Sequence, residues 1–219
     1  EAPIPAKAPI TSPEQWNYLE TLSPTKGNLG KHIDALNRIS KGLKNEVPFI
    51  MTVFNPISIA GQLVGSEETF LSHLQLAGNR VHSALNEITE TFCNYVSEIL
   101  NVGADGIFFA TTAWGTTDRL TSDTYDNFGR PYDLRILEAA RDAWFNVLHV
   151  CRNNNMLRQL TDYPVHAINW DTHATGNSNL EEGRVFLDKK IPMGGVSREN
   201  LLNLDAQGIQ TETENVIRD

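Results

Sequence analysis

The sequence predicts an α/β fold with a parallel sheet, of the (β/α)8 TIM-barrel type, with about five β/α units in this chain. Three observations carry that reading. Short, predominantly apolar runs of strand length recur at residues 47–54, 107–111, 145–150, 165–170 and 191–196, and such runs suit strands of a parallel sheet buried on both faces. Segments with helical periodicity separate them, so strand and helix alternate five times over. Polar residues gather just after the strands: Asn55 and Ser58; Thr111, Thr112 and Trp114; His149 and Cys151; Asn169, Trp170, Asp171 and His173; Gly194 and Gly195. Function at the C-terminal ends of several strands is the habit of the barrel. A doubly wound sheet fits the same alternation, but no Gly-x-Gly-x-x-Gly follows a strand, which weakens a dinucleotide-binding reading.

In order along the chain, residues 1–13 are rich in Pro and Ala and read as a linker or loop. A helix is expected over 30–43, with Ile33, Leu36, Ile39 and Leu43 at helical spacing. The run 47–54 is the first strand, stopped by Asn55-Pro56. Helices follow over 67–76 and 80–100; in the second, Val81, Leu85, Ile88, Phe92, Tyr95, Val96 and Ile99 trace one apolar face. Gly103-Ala-Asp-Gly106 is a turn into the second strand. Thr121 or Ser122 caps a helix expected to continue through Pro131 to about Ala143. The third strand, 145–150, leads through a short helix, 156–160, to the fourth, 165–170. A helix over 180–187, the fifth strand at 191–196, a helix capped by Ser197 over 198–204 and a further helix from Thr213 complete the pattern.

Composition bounds the function. The chain has 219 residues, of which 40% are hydrophobic and 21% charged, enough for a sizeable core. A net charge of −9 disfavours a nucleic-acid or anionic-membrane partner. No run of 18 apolar residues predicts a membrane span, and no apolar leader segment is visible at the start of the sequence. Two cysteines, Cys93 and Cys151, fit a reducing cytoplasm, and Cys93 reads as part of a helix core.

His149 and Cys151 carry the most specific chemistry. Strand side chains alternate faces, so residues two apart stand side by side. An imidazole and a thiol so placed are two ligands of a soft-metal site, of which zinc is the best match; the alternative is a half-buried histidine beside a small buried cysteine. Asp171 and His173 share the same spacing after the fourth strand and suit acid–base work or metal support, against a solvated loop in which Asp171 caps a turn. Asn55 and Ser58 either hydrogen-bond a substrate carboxylate or cap the helix after Pro56. Thr111 and Trp114 line the cleft or pack; Gly194 lets a ligand approach the backbone or makes a tight strand exit. His32, His73 and His82 fall on predicted helix surfaces and read as solvated, and His166 reads as structural.

Several segments together resemble the uroporphyrinogen decarboxylase superfamily: Val47-Pro-Phe-Ile-Met-Thr-Val-Phe-Asn-Pro-Ile-Ser58, Gly103-Ala-Asp-Gly106, Phe128-Gly-Arg-Pro-Tyr132, Leu148-His-Val-Cys151, Ile168-Asn-Trp-Asp171 and Met193-Gly-Gly-Val196. The superfamily also holds zinc-dependent methyltransferases that move methyl groups from corrinoid proteins to thiols. The resemblance covers residues 14–205 and implies a (β/α)8 barrel incomplete here at both ends. It implies zinc at His149 and Cys151, with a second cysteine beyond Asp219, a small-molecule thiol as acceptor and a corrinoid protein as partner, and it allows a homodimer. The usual next residue after the pair is Gly, where this chain has Arg152. The decarboxylase branch implies no metal and a tetrapyrrole substrate, but where it places a tyrosine after the first strand this chain has Gln62. A non-catalytic barrel segment serving in binding or assembly is the remaining class.

Overall fold

A computed structural model describes residues 8–218. Five strands form one sheet: β1 (Ile50–Phe54), β2 (Gly106–Ala110), β3 (Val147–Val150), β4 (Ala167–Trp170) and β5 (Ile191–Met193). They lie side by side in chain order, every neighbouring pair parallel. A doubly wound sheet would reverse its strand order near the middle. Sequential order combined with right-handed crossovers instead sets all connecting helices on one face, as in a (β/α) barrel.

The helices are α1 (Gly27–Leu43), α2 (Pro56–Val64), α3 (Glu67–Leu76), α4 (Gly78–Asn101), α5 (Ser122–Phe128), α6 (Arg130–Ala139), α7 (Leu180–Phe186), α8 (Arg198–Asn203) and α9 (Ala206–Arg218), with a 3-10 turn at Pro13–Tyr18 and another at Leu157–Leu160. The amphipathic α4 buries Val81, Leu85, Ile88, Tyr95, Val96 and Ile99 against its neighbours. No helix among the described residues is long and apolar enough to cross a membrane.

The single helix expected over 122–143 is two. Pro131 has no N–H to give and crowds the carbonyl four residues back. The chain therefore breaks at Gly129, restarts with the proline in the first turn of α6 and ends that helix at Ala139. On α1, Ile33 and Leu36 are buried but Ile39 is 47% exposed, because at 3.6 residues per turn it lies about 90° round the helix from the midline between Ile33 and Leu36. Of the segment read as a linker, residues 1–7 lie outside the described residues. Ile10 is buried, and its N–H donates to the Leu63 carbonyl.

Two histidines differ from their expected solvated surfaces. His73 is buried, and its Nδ1 accepts from the Trp16 indole N–H at 3.1 Å. His82 stacks on Phe128, with ring centroids 4.3 Å apart, and meets the Tyr132 hydroxyl at 2.7 Å. Both helices carry a second apolar layer over these positions, which their own periodicity does not reveal. His32 is exposed as expected, and His166 accepts from the Asn146 N–H at the entry to β4.

Register separates the sheet into two unlike faces. Val53, Ile107, Phe109, Leu148, Val150, Ile168 and Trp170 point to the helices and are fully buried, each side chain contributing about 1.5–3 kcal/mol of burial. The opposite face pairs Thr52, Phe108, Val147, Ala167 and Ile191 in one row and Phe54, Ala110, His149, Asn169 and Met193 in the next. This second face is not fully covered: Phe54 is 42% and Ile191 53% exposed, and His149 and Asn169 are half-buried. The expectation that both faces are buried is corrected here. Apolar runs report the helix-covered face, whereas the other face is the side a barrel turns toward its own axis.

Candidate functional site

The second row of the uncovered face ends in a cluster of three groups. His149 on β3 stands directly opposite Asn169 on β4, and its Nδ1 lies 2.6 Å from the Asn169 Oδ1. The Asn169 amide is itself oriented, because its Nδ2 donates to the Met193 carbonyl of β5 at 3.0 Å. With that amide nitrogen committed, Oδ1 is left to accept, so the network assigns the His149 proton to Nδ1. Nε2 is then the lone-pair nitrogen. An oriented imidazole whose other nitrogen is held by a neighbour is the arrangement metal-ligating histidines require.

Cys151, two residues on, stands on the same side. Burial pulls the His149 imidazole down, but hydrogen bonds with Cys151 and Asn169 outweigh it, and its pKa sits above the ordinary value. The same bond to His149 holds the Cys151 thiol below its usual range, against burial that pushes it up. An imidazole and a thiol that share a hydrogen bond, with the thiol biased toward thiolate, can ligate a soft metal once their shared proton is released, and the thiol is also a nucleophile in waiting. That donor chemistry fits two positions of a zinc site. Among the described residues, no third His, Cys, Asp or Glu joins the pair in a metal-sized cluster. Both cysteines are free.

A cavity of about 740 Å³ opens over the pair, and Asp171, Arg119 and Arg152 also line it. The loops around it are laced together. The Thr116 hydroxyl donates to the Asn153 carbonyl, and Asn177 Nδ2 donates both to the Arg152 carbonyl at 2.9 Å and to the Asp171 carbonyl at 2.8 Å. The Asp171 carboxylate accepts the backbone N–H of His173 at 3.0 Å, closing a turn. The His173 ring meets the Gly195 carbonyl at 3.2 Å in an adjoining hollow, so the two side chains do not form a carboxylate–imidazole pair.

The other sequence candidates stand behind the cavity. Thr111 is fully buried, and both its N–H and its hydroxyl donate to the His149 carbonyl, which pins the backbone carrying the imidazole. Trp114 is buried against Phe70 and carries the Arg119 guanidinium 5.3 Å above its ring. Gly61 makes room for it, since a Cβ there would lie 2.3 Å from the indole nitrogen. Gly194 packs on Leu180. Asn55 and Ser58 are fully buried. Asn55 joins a polar knot in which its Nδ2 meets the Tyr125 hydroxyl and Asp133 Oδ1, both at 3.2 Å, while Tyr125 and Tyr163 donate to Asp133 Oδ2 at 2.6 and 2.9 Å. Burial raises Asp133 to about 7, although those hydrogen bonds pull the other way.

The structure thus brings His149, Cys151 and Asp171 to one cavity and leaves Asn55, Ser58, Thr111, Trp114, His173 and Gly194 outside it. Sequence reasoning gave Asn169 no role. Its signal was the polar side chain at position three of an otherwise apolar four-residue strand, but its meaning depends on a cross-strand register that only the fold supplies.

Comparison with known proteins gives three results. The family model described as uroporphyrinogen decarboxylase matches residues 1–219. Among curated proteins, the chain is 24% identical over 192 residues to a methylcobamide:CoM methyltransferase of Methanosarcina acetivorans, spanning 85% of this chain and 56% of that one. It is 28% identical over 142 residues to a uroporphyrinogen decarboxylase of Ruthia magnifica, spanning 59% and 40%. The chain therefore spans about half the length of the curated relatives it matches. Its fold resembles a solved methyltransferase from Methanosarcina mazei with TM-score 0.75 and 19% identity, covering 89% of this chain and 57% of that one.

Proposed function

The chain belongs to the uroporphyrinogen decarboxylase family, and from that premise we propose that it is part of an enzyme that activates a thiol at His149 and Cys151 to receive a methyl group from a methylcorrinoid protein. The single observation that carries this reading is the Met193–Asn169–His149 relay, which orients the imidazole so that Nε2 meets a thiol already biased toward thiolate. Zinc, when bound, supplies the Lewis acidity that lowers the pKa of an incoming thiol. His149 and Cys151 are the residues of this chain that would hold it, with completion from outside the described residues.

The remaining parts act by position. Thr111 fixes the His149 backbone from behind. Asn177 holds the two loops at a set separation. Arg119, seated on the Trp114 ring behind the cavity and ion-paired to Glu67, forms a firm wall to the cavity. The acceptor sulfur forms a bond to the methyl carbon as the donor's bond to that carbon breaks, the electron pair leaving with the donor and the thiol proton passing to solvent.

Decarboxylation of a tetrapyrrole is the second reading, supported by the decarboxylase relative. It needs no metal at this pair. Metal analysis of the full-length protein, purified without added zinc, separates the two. Stoichiometric zinc that Cys151→Ser removes, with the fold intact by circular dichroism, is the expected result. A metal-free wild type that consumes uroporphyrinogen and ignores chelators would overturn the methyl-transfer reading.

A further inference from the structure

Glu67, Phe70 and His73 follow one another at three-residue spacing and so share one side of α3. Each meets a different neighbour. Glu67, in the first turn, lines the cavity over His149 and Cys151 and pairs with Arg119 at 2.8 Å. Phe70 is fully buried and packs on two indoles, with ring centroids 6.1 Å from Trp16 and 4.8 Å from Trp114. His73, in the last turn, is buried and accepts from the Trp16 indole N–H. The Arg119 guanidinium lies over Trp114. A continuous packed path therefore runs from the segment before α1, through α3, to the rim of the cavity.

That segment, residues 10–18, is pinned by two buried side chains. Ile10 also donates its N–H to the Leu63 carbonyl of α2, and Trp16 bonds His73. The Glu14–Arg80 ion pair beside them is exposed and adds little. An indole N–H only donates, so His73 Nδ1 has to offer a lone pair, and the network assigns a neutral ring. A second proton would land on Nδ1 itself and turn the acceptor into a donor, which ends the bond. From segment 10–18 the ring faces Glu14, itself taken by Arg80 of α4. The helix α2 carries no titratable side chain, and Glu67 and Glu68 stand at the far end of α3. Burial holds the His73 imidazole below its ordinary value, with Glu14 pulling weakly upward, so the bond is made at neutral pH and lost in acid.

We propose that Trp16 and His73 form an acid-released latch that holds α3 as one wall of the cavity over His149 and Cys151. With the bond made, Trp16 clamps α3, and the contacts of Phe70 with Trp114 and of Trp114 with Arg119 keep Glu67 at the rim. With His73 protonated, a charge has been placed in a dry pocket and must reach water. Trp16 gives way, Phe70 loses one of its two aromatic partners, and the wall loosens. Trp16 and His73 are positioning residues, and the latch works whichever reaction the cavity serves.

The test is amide hydrogen exchange of the full-length protein, read by mass spectrometry from about pH 7 to about pH 4, a range that spans ordinary and lowered imidazoles. His73→Gln keeps an acceptor for the indole N–H but does not titrate. Dividing wild-type rates by those of this variant at each pH cancels the intrinsic pH dependence of exchange. The ratio for residues 67–76 should be near one at neutral pH and rise about fivefold or more in acid, the worth of one buried hydrogen bond. Residues 113–120 at the rim should follow, while the strands 147–150 and 167–170 stay near one. Trp16→Phe, which keeps a ring without the donor, should loosen 67–76 at every pH and abolish the acid response. A flat ratio overturns the latch, as does a ratio that rises equally over the whole chain. Loosening of 67–76 that leaves 113–120 unmoved overturns the link to the cavity and reduces the bond to plain stability.

Discussion

The polar knot behind the end of β1 and the polar cluster at the ends of β3 and β4 are built from the same materials, yet they end differently. In the knot, both Asp133 oxygens are consumed: Asn55 takes one, and Tyr125 and Tyr163 share the other. In the cluster, Asn169 satisfies one side of His149, while Nε2 and the Cys151 sulfur face a cavity. The knot lies on the helix-covered side of the sheet, and the cluster lies on the side a barrel turns inward. Alternation along the strands thus assigns stability to one set of side chains and chemistry to the next. A carboxylate whose oxygens are both taken within the fold is structural, even though the buried Asn55 Oδ1 beside it has no partner, whereas an imidazole–thiol pair that lines a cavity is a site.

Removing the centre of each cluster should have the largest and most unlike effects. Asp133→Ala leaves Asn55, Tyr125 and Tyr163 without their partner in a buried space and should cost about 3 kcal/mol or more of unfolding free energy. Cys151→Ser, in the open cluster, should change it by only about 0.5 kcal/mol. Urea denaturation of the two variants compares them directly. Similar losses from both would mean that the His149 cluster is as structural as the knot.

The knot should also give stability a pH dependence. Burial raises Asp133 from 3.8 to about 7, so the folded state holds a proton that the unfolded state has released between those values. Its contribution is therefore fully present below pH 4. It declines as pH rises, by up to about 1.4 kcal/mol per unit, and levels off above 7. Asp133→Asn should flatten that portion of the profile. An unchanged slope in the variant would show that Asp133 is ionised in the fold and that its hydrogen bonds outweigh burial.

How far the sequence foretold this contrast depends on which contacts are local. The five strands are legible because each run is predominantly apolar, and its burial on the helix side needs no partner information, as with Phe109 or Ile168. His149 and Cys151 were legible because their relation lies within one strand. Asn169 was not, since its link to His149 is a register between strands 20 residues apart in sequence. Asp133 reads as an ordinary polar helix position until Tyr125, Tyr163 and Asn55 converge on it from three other segments. The break at Gly129 is within reach of the sequence, because Pro131 stands inside the expected helix and a proline crowds the carbonyl four residues back. The half-covered inner face was not, because an apolar strand looks the same whether its second face meets helices or a barrel axis.

Asn169 sharpens the comparison from the open side. Replacing it by leucine removes the acceptor that fixes the His149 tautomer while leaving an isosteric side chain on β4. Zinc affinity should fall about 10–100-fold, the usual effect of losing a group that orients a metal-bound histidine. Competition with a chelator reads this, with Asn55→Ala as the counterpart expected to lower stability and leave zinc affinity unchanged. Zinc affinity that is unaltered in Asn169→Leu would remove the relay from the site.

The smallest effect should fall on Arg152, where the open cluster bears a cost that the knot does not. A φ of +76° disfavours an arginine by about 1 kcal/mol, and the Asn177 bond to its carbonyl holds it there. Glycine at this position relieves the strain but loosens the unfolded chain, which returns part of the gain. Arg152→Gly should therefore stabilise the protein by about 0.5 kcal/mol, seen as a higher urea midpoint at unchanged slope, while Arg152→Gln stays near wild type. The sign is what matters. A residue kept for packing loses stability when it is removed, whereas one that lines an open cavity can be removed with a gain. A clear loss of stability in Arg152→Gly would place Arg152 with the structural residues of the knot, on the wrong side of the comparison.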